Sequence, residues 1–365
     1  MQEFTVIFIS AFIALFLARK AAIKVGLVDK PNARKHHHGH IPYVGGISIY
    51  LALWILYAFH PEWLPEFSVY MICASVLLVV GVLDDRFDLP VFPRVVLQAM
   101  VAVLMMYFGL HLSTLGNIFF GHEVALGLFG YIVTLFAVWG AINAFNMVDG
   151  IDGLLGSLST VTFGALAVLF WLGGKTELAQ WSLCLLIVLI PYIMLNLGIP
   201  LGQKFKVFMG DAGSTLIGFT VIWLLILATQ GEEAIINPVT ALWLIAIPLM
   251  DMTTIMVRRI LRGHSPFRPD REHLHHILIR GGLKPRQALV VITGFALFLA
   301  AIAIVAERAG VAESIMLNAF IVMFVGYFWS NSRICHILTV IRRGNQGENQ
   351  ATLVGKVSGS HALNK

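Results

Sequence analysis

Three short stretches combine carboxylates, amides and glycines at spacings that suit phosphate chemistry. Gly81-Val-Leu-Asp84-Asp85-Arg86 sets two carboxylates side by side, and such a pair repels itself unless a cation or a proton is shared. A solvated helix end neutralised by Arg86 is the plain alternative, with Asp88 as a loop or cap residue. Asn143-Ala-Phe-Asn146-Met-Val-Asp149-Gly-Ile-Asp152-Gly153 places Asn146, Asp149 and Asp152 three residues apart, so a helical turn would align them on one side. Gly150 and Gly153 let backbone approach a ligand closely. This loop has no Lys or Arg, so a divalent ion or a basic patch from another loop must balance its acids; helix capping by Asp and Asn is the structural alternative. Phe208-Met-Gly210-Asp211-Ala-Gly213-Ser214 puts Asp211 in a glycine-flanked turn. Magnesium takes one or two carboxylates and completes its shell with substrate phosphate oxygens, and Asp211 suits that task. Phe208 could stack on a base, while Ser214 is a candidate N-cap for the next helix.

Two basic stretches could receive the phosphates. Ser265-Pro-Phe-Arg268-Pro-Asp270-Arg271-Glu-His273-Leu-His275-His276 joins arginines to a histidine cluster. Its spacing fits neither a zincin helix nor a zinc finger, so His273, His275 and His276 with Arg268 and Arg271 suit phosphate or sugar contact. A solvated basic face drawn to anionic lipid is the alternative. The stretch from Asp29 to Gly46 carries Lys30, Arg34, Lys35 and four histidines and reads as an anion-binding patch. Gly45-Gly46, at its end, allows close helix packing or backbone access.

The elements that position these residues are membrane helices. Of 365 residues 58% are hydrophobic and only 12% charged, with a mean hydropathy of +0.83; a soluble domain carries about 25% charged residues. The composition therefore predicts an all-α, polytopic integral membrane protein. Eleven apolar segments approach the roughly 20 residues needed to cross a bilayer, at 3–18, 43–59, 68–83, 92–109, 128–145, 154–172, 178–196, 214–228, 238–256, 288–306 and 314–332. Arg19 and Lys20 follow the first segment, which is expected to remain as an anchor. Cys73, Cys184 and Cys335 show no metal or disulfide spacing and are expected to pack as small apolar side chains.

Charge fixes the expected orientation. The segments at 19–42, 84–94, 144–153, 197–213 and 257–287, with the tail from 333, hold 23 of the 25 Lys and Arg; the alternate loops hold Lys175 and Arg308. The positive-inside rule puts the first set in the cytoplasm, the N-terminus in the periplasm and the C-terminus in the cytoplasm. All nine aspartates fall on that inner side, while nine of the eleven glutamates fall outside. Solvation of charge gives no reason for such a split; short, stiff Asp side chains suit fixed metal or phosphate geometry. Residues 1–332 form the expected membrane domain and 333–365 a cytoplasmic tail, disordered at its polar end.

Together these motifs resemble the polyprenyl-phosphate N-acetylhexosamine-1-phosphate transferases over residues 4 to 330. The His-Leu-His-His form looks like the bacterial undecaprenyl-phosphate N-acetylglucosaminyl-1-phosphate transferases, Leu274 replacing the commoner Ile. The resemblance implies transfer of N-acetylglucosamine 1-phosphate from UDP-N-acetylglucosamine to undecaprenyl phosphate, with release of UMP, at the bacterial inner membrane. It implies Mg2+ (or Mn2+) held by Asn146 and Asp211, and uracil stacked on Phe208. Asp84 and Asp85 are implied as catalytic or near the attacking phosphate, with Asp149 and Asp152 lining the nucleotide site as further catalytic residues. Arg268, Arg271, His273, His275 and His276 recognise diphosphate and sugar in this reading, and Lys30, Arg34 and Lys35 add positive charge. The expected partners are the two substrates and the bilayer, with no nucleic acid and a homodimer left open. O-antigen or enterobacterial common antigen synthesis would begin from such a lipid. The open alternatives are another UDP-sugar, such as UDP-N-acetylgalactosamine, and a transporter using membrane acids as an ion path.

Overall fold

The architecture is organised around one helix that is buried along nearly its whole length, α8 (Gly210–Thr229). The computed structural model describes residues 2–29, 40–119, 121–232, 234–266 and 272–333. Lys30, Arg34, Lys35, Arg268, Arg271, Asp270, Cys335 and the tail from 334 lie outside the described residues. Before α8 the chain forms α1 (Gln2–Val25), β1 (Val28–Asp29), β2 (Ile41–Pro42), α2 (Gly45–Phe59), α3 (Phe67–Phe87), α4 (Val91–Tyr107), α5 (Phe129–Met147), α6 (Leu154–Leu172) and α7 (Thr176–Asn196). After it come α9 (Pro238–Leu244), α10 (Ala246–Leu261), α11 (Leu274–Arg280), α12 (Pro285–Arg308) and α13 (Glu313–Arg333).

Among the described residues eight helices are long and apolar enough to cross a membrane, or nine if α9 and α10 count as one broken span. Two further apolar helices, α2 with 15 residues and α4 with 17, are shorter. The protein is thus a mostly helical, polytopic membrane protein. The apolar segment expected at 238–256 is not one rod, because α9 and α10 meet at 82°. Helix starts follow local chemistry. Pro238 and Pro285 occupy first-turn positions, where a missing N–H costs nothing, and Gln287 closes a capping box onto the Lys284 N–H at 2.9 Å. Asp88 ends α3 in a left-handed conformation, φ 53°, as a loop or cap residue would.

Glycines let α8 sit unusually close to its neighbours. A Cβ on Gly46 of α2 would lie 2.4 Å from the Gly213 nitrogen, and one on Gly81 of α3 only 2.2 Å from the Ala212 Cα. Small residues permit such backbone contact between membrane helices. The Gly45-Gly46 pair therefore serves close packing. Cys73 and Cys184 are buried, free thiols, in keeping with their expected packing role.

Candidate active site

The N-terminal turn of α8 carries Asp211 and is gripped from two sides. On one side, α3 ends in Asp84 and Asp85, and Asp85 accepts the backbone N–H groups of Asp211 at 2.7 Å and Ala212 at 3.2 Å. A carboxylate on first-turn amides both satisfies orphan donors and meets the positive end of the helix dipole. Asp85 thus provides the cap expected from Ser214. The sequence reading placed the helix start at 214; it begins four residues earlier, at Gly210, so Ser214 lies inside it. The same shift moves Asp211 from a turn into the first helical turn. On the other side, α2 begins where Val44 and Gly45 donate to the Phe208 carbonyl at 3.1 and 3.0 Å, and Phe208 donates to Pro42 O at 2.9 Å.

Asn146, at the end of α5, donates from Nδ2 to Asp211 Oδ1 at 2.5 Å and to Ser214 Oγ at 2.8 Å. Asp149 and Asp152 do not continue that helix, which ends at Met147; 148–153 is a chain of turns, with Gly153 at φ 80°. The three side chains therefore do not share a helical face. Asp152 pairs with Lys206 Nζ at 2.6 Å, so the compensating charge does come from another loop. Lys206 is itself buried and lies 5.3 Å from the centre of the Phe208 ring, within cation–π range. Phe208 also lies against Tyr43, ring centres 6.2 Å apart. Asp149 opens to solvent at the rim. Desolvation by the surrounding protein, then the carboxylates of Asp211 and Asp152, push its carboxyl up to about 7.

Beside this cluster is a cavity of about 270 Å³ with two characters. Asp84, Arg94, Asn146, Arg259 and His273 are among its polar lining, and Leu77, Val80, Val95, Ile142 and Met256 among its apolar lining. Asp84 is buried, accepts the Leu89 N–H at 2.8 Å and forms an ion pair with Arg94. The adjacent aspartates thus face different ways, Asp84 into this cavity and Asp85 onto α8.

The histidines separate as well. His273 lines the cavity; His275 is buried instead against Gly150, with Nε2 lacking a hydrogen-bond partner among the described residues. Burial, with His276 and His273 nearby, pushes the His275 imidazole down to about 3, so it is neutral at ordinary pH. The His276 ring lies 4.2 Å from that of His275.

Sequence reading missed several members. Arg94 and Arg259 read in the sequence only as basic residues of inner loops, although Arg94 pairs with Asp84 and both line the cavity. Asn196, buried at the end of α7, accepts the Gly153 N–H at 2.5 Å and donates to Val207 O at 2.8 Å. It ties the Asp152 loop to the Lys206–Phe208 loop. A lone polar residue closing an apolar segment was the only available signal.

Asn146 and Asp211 stand side by side, as two neighbouring oxygen ligands of one small cation must. The Asn146 amide would have to rotate to offer Oδ1. Among the described residues no three His, Cys, Asp or Glu side chains form a metal cluster, so a cation here would draw other ligands from substrate and water, the habit of magnesium.

A multi-helix membrane fold thus holds a carboxylate–amide pair beside a cavity that is part apolar and part polar, an arrangement suited to group transfer at a membrane. The chain belongs to glycosyl transferase family 4, which matches residues 67–229. It is 54% identical over 345 residues to the undecaprenyl-phosphate alpha-N-acetylglucosaminyl 1-phosphate transferase of Salmonella typhi, covering 94% of each chain. The transferase of the same name from Escherichia coli K12 is 54% identical over 339 residues, 92% of each chain. That of Haemophilus influenzae is 48% identical over 344 residues, 94% of this chain and 97% of the relative.

Proposed function

We propose that this protein transfers N-acetylglucosamine 1-phosphate from UDP-N-acetylglucosamine to undecaprenyl phosphate. A phosphate oxygen of the lipid attacks the sugar-side phosphorus. The bond from that phosphorus to the bridging oxygen breaks, and UMP leaves. The observation that carries the reading is the two-faced cavity beside Asp211 and Asn146. A lipid phosphate needs an apolar approach and a charged end, and this cavity offers both within one lining.

Attacking and attacked groups are both anions, so charge repulsion is the chief barrier and positioning with neutralisation the chief catalysis. Asn146 and Asp211 would hold Mg2+ or Mn2+, which when bound supplies charge neutralisation on the diphosphate and leaving group. Arg94, Arg259 and His273 draw the acceptor phosphate into the cavity. Asp84 orients it and takes its last proton when one is present; with a second pKa of roughly 6, that phosphate is mostly ionised at neutral pH. Asp85 acts through α8 by holding Asp211. Asp149, Asp152, Lys206 and Phe208 form the nucleotide side, with uracil against Phe208. His275 and His276 support the loop that carries His273, and Lys30, Arg34, Lys35, Arg268 and Arg271 add positive charge around the opening.

The basic-residue bias supports a cytoplasmic active site in a bacterial inner membrane, eleven membrane-crossing segments, a periplasmic N-terminus and a cytoplasmic C-terminus. The names of the relatives support N-acetylglucosamine as the sugar. Purified protein given magnesium, both substrates and detergent is expected to release UMP, and Asp211→Asn to lose that activity. Release with UDP-N-acetylgalactosamine alone would change the sugar. No release with any nucleotide sugar would overturn the transferase reading.

A further inference from the structure

Asp251 has no part in the chemistry above, and it is the least exposed aspartate among the described residues. It lies on α10 with 1% of its surface exposed. An isolated buried carboxylate is expensive unless donors surround it. Three do: His273 Nδ1 lies 2.8 Å from Oδ2, and the Leu274 N–H and the Tyr327 hydroxyl donate to Oδ1, each at 2.9 Å. These donors come from the loop before α11, from α11 itself and from α13.

An ionised carboxylate only accepts hydrogen bonds, so the His273 nitrogen facing it carries the proton. With Nδ1 committed to Asp251, what His273 offers the cavity is Nε2. That cavity also presents Asp84, Arg94 and Arg259, while His275 and His276 lie 5.6 and 6.3 Å from the His273 ring. When the ring is protonated, Nε2–H can donate to a phosphoryl oxygen in the cavity. Carboxylate partners fix histidine tautomer and ring orientation in this way at many functional sites.

We infer that Asp251, braced by Tyr327, is the positioning residue that fixes the ring orientation of His273 and aims Nε2 toward the acceptor phosphate. The inference rests on the transferase reading and adds a part to it. α13, the last described helix and remote in sequence, thereby joins the active site without touching substrate.

The test is a double-mutant cycle on the purified full-length protein, read as UMP release. Asp251→Asn keeps an acceptor at one position but replaces the oxygen facing Nδ1 or forces the ring to change partner. It and His273→Gln are each expected to lower kcat about 10- to 100-fold, while KM for UDP-N-acetylglucosamine changes less than about threefold. The double variant should be no slower than the slower single one, because the carboxylate acts only through the ring. Tyr327→Phe keeps the carboxylate and should cost less, again nothing once His273 is Gln; it serves if Asp251→Asn fails to fold. Losses that multiply, or a folded Asp251→Asn within about twofold of wild type, would overturn the inference and leave the transferase reading intact. A wild-type protein that releases no UMP would overturn both.

Discussion

Asp85 and Asp211 meet through backbone, not through a shared ligand: the Asp85 carboxylate receives the Asp211 N–H at 2.7 Å. The end of α3 thus sets the position of the first turn of α8, and Asp211 with it. Removing an N-terminal cap costs about 1 kcal/mol. Asp85→Ala should therefore lower thermal stability in detergent without any substrate, and speed hydrogen exchange at the Asp211 and Ala212 amides. Asp84→Asn should leave exchange at those two amides unchanged. Equal protection of Asp211 and Ala212 in wild type and Asp85→Ala would contradict the assignment.

Asn196 bonds two loops that the chain separates by more than fifty residues, Gly153 and Val207. Asn196→Ala leaves a buried N–H and a buried carbonyl unpaired, at about 1–3 kcal/mol per group. Its unfolding temperature should fall, and KM for the nucleotide sugar should rise more than kcat falls. Steady-state kinetics and thermal unfolding would check both; a selective fall in kcat would contradict the nucleotide-side placement.

Asp149 gives a pH-dependent prediction. Its carboxyl is raised from 3.8 to about 7, so between those values the folded protein binds more protons than the unfolded chain. Stability from this group is therefore present at low pH and lost as pH rises through 7. Without added divalent cation, Asp149→Asn should unfold at a higher temperature than wild type at pH 8. The gap should shrink by pH 5 and vanish below about 4. A gap that is constant over that range would show that Asp149 is not the group responsible.

The contact of Gly46 with Gly213 predicts a steric effect far larger than one methyl group suggests. A Cβ 2.4 Å from a backbone nitrogen forces α2 and α8 apart, and overpacking of this kind costs typically 1–3 kcal/mol. Gly46→Ala should lower both the unfolding temperature and UMP release. Gly140→Ala, where a Cβ meets nothing within 4 Å, should keep the wild-type unfolding temperature. Similar stability for the two variants would argue against the tight crossing.

Much of the site was legible because hydropathy and charge are properties of short segments. Apolar runs separated by basic loops predicted a polytopic helical protein, and Asn146, Asp149, Asp152, Asp211 and Phe208 stood out as polar or aromatic groups at segment ends. Segment ends were less legible, since a glycine-rich start such as Gly210-Asp-Ala-Gly213 has no apolar periodicity to mark it. The break between α9 and α10 was hidden for the opposite reason: both pieces are apolar, so hydropathy reads through the bend.

By itself the sequence determined the class of molecule, the grouping of its aspartates at segment ends and the residue types available for phosphate chemistry. Only the tertiary structure decided how those residues divide the work. Asp84 and Asp85 are neighbours in the chain, yet one faces a cavity beside Arg94 while the other caps α8. His273 and His275 are two residues apart, yet one meets Asp251 and lines that cavity while the other is buried against Gly150. The physical reason is that a side chain's role follows from what it meets across helices, and partners such as Asp251 with Tyr327, or Asn196 with Val207, are set by packing that no local pattern encodes.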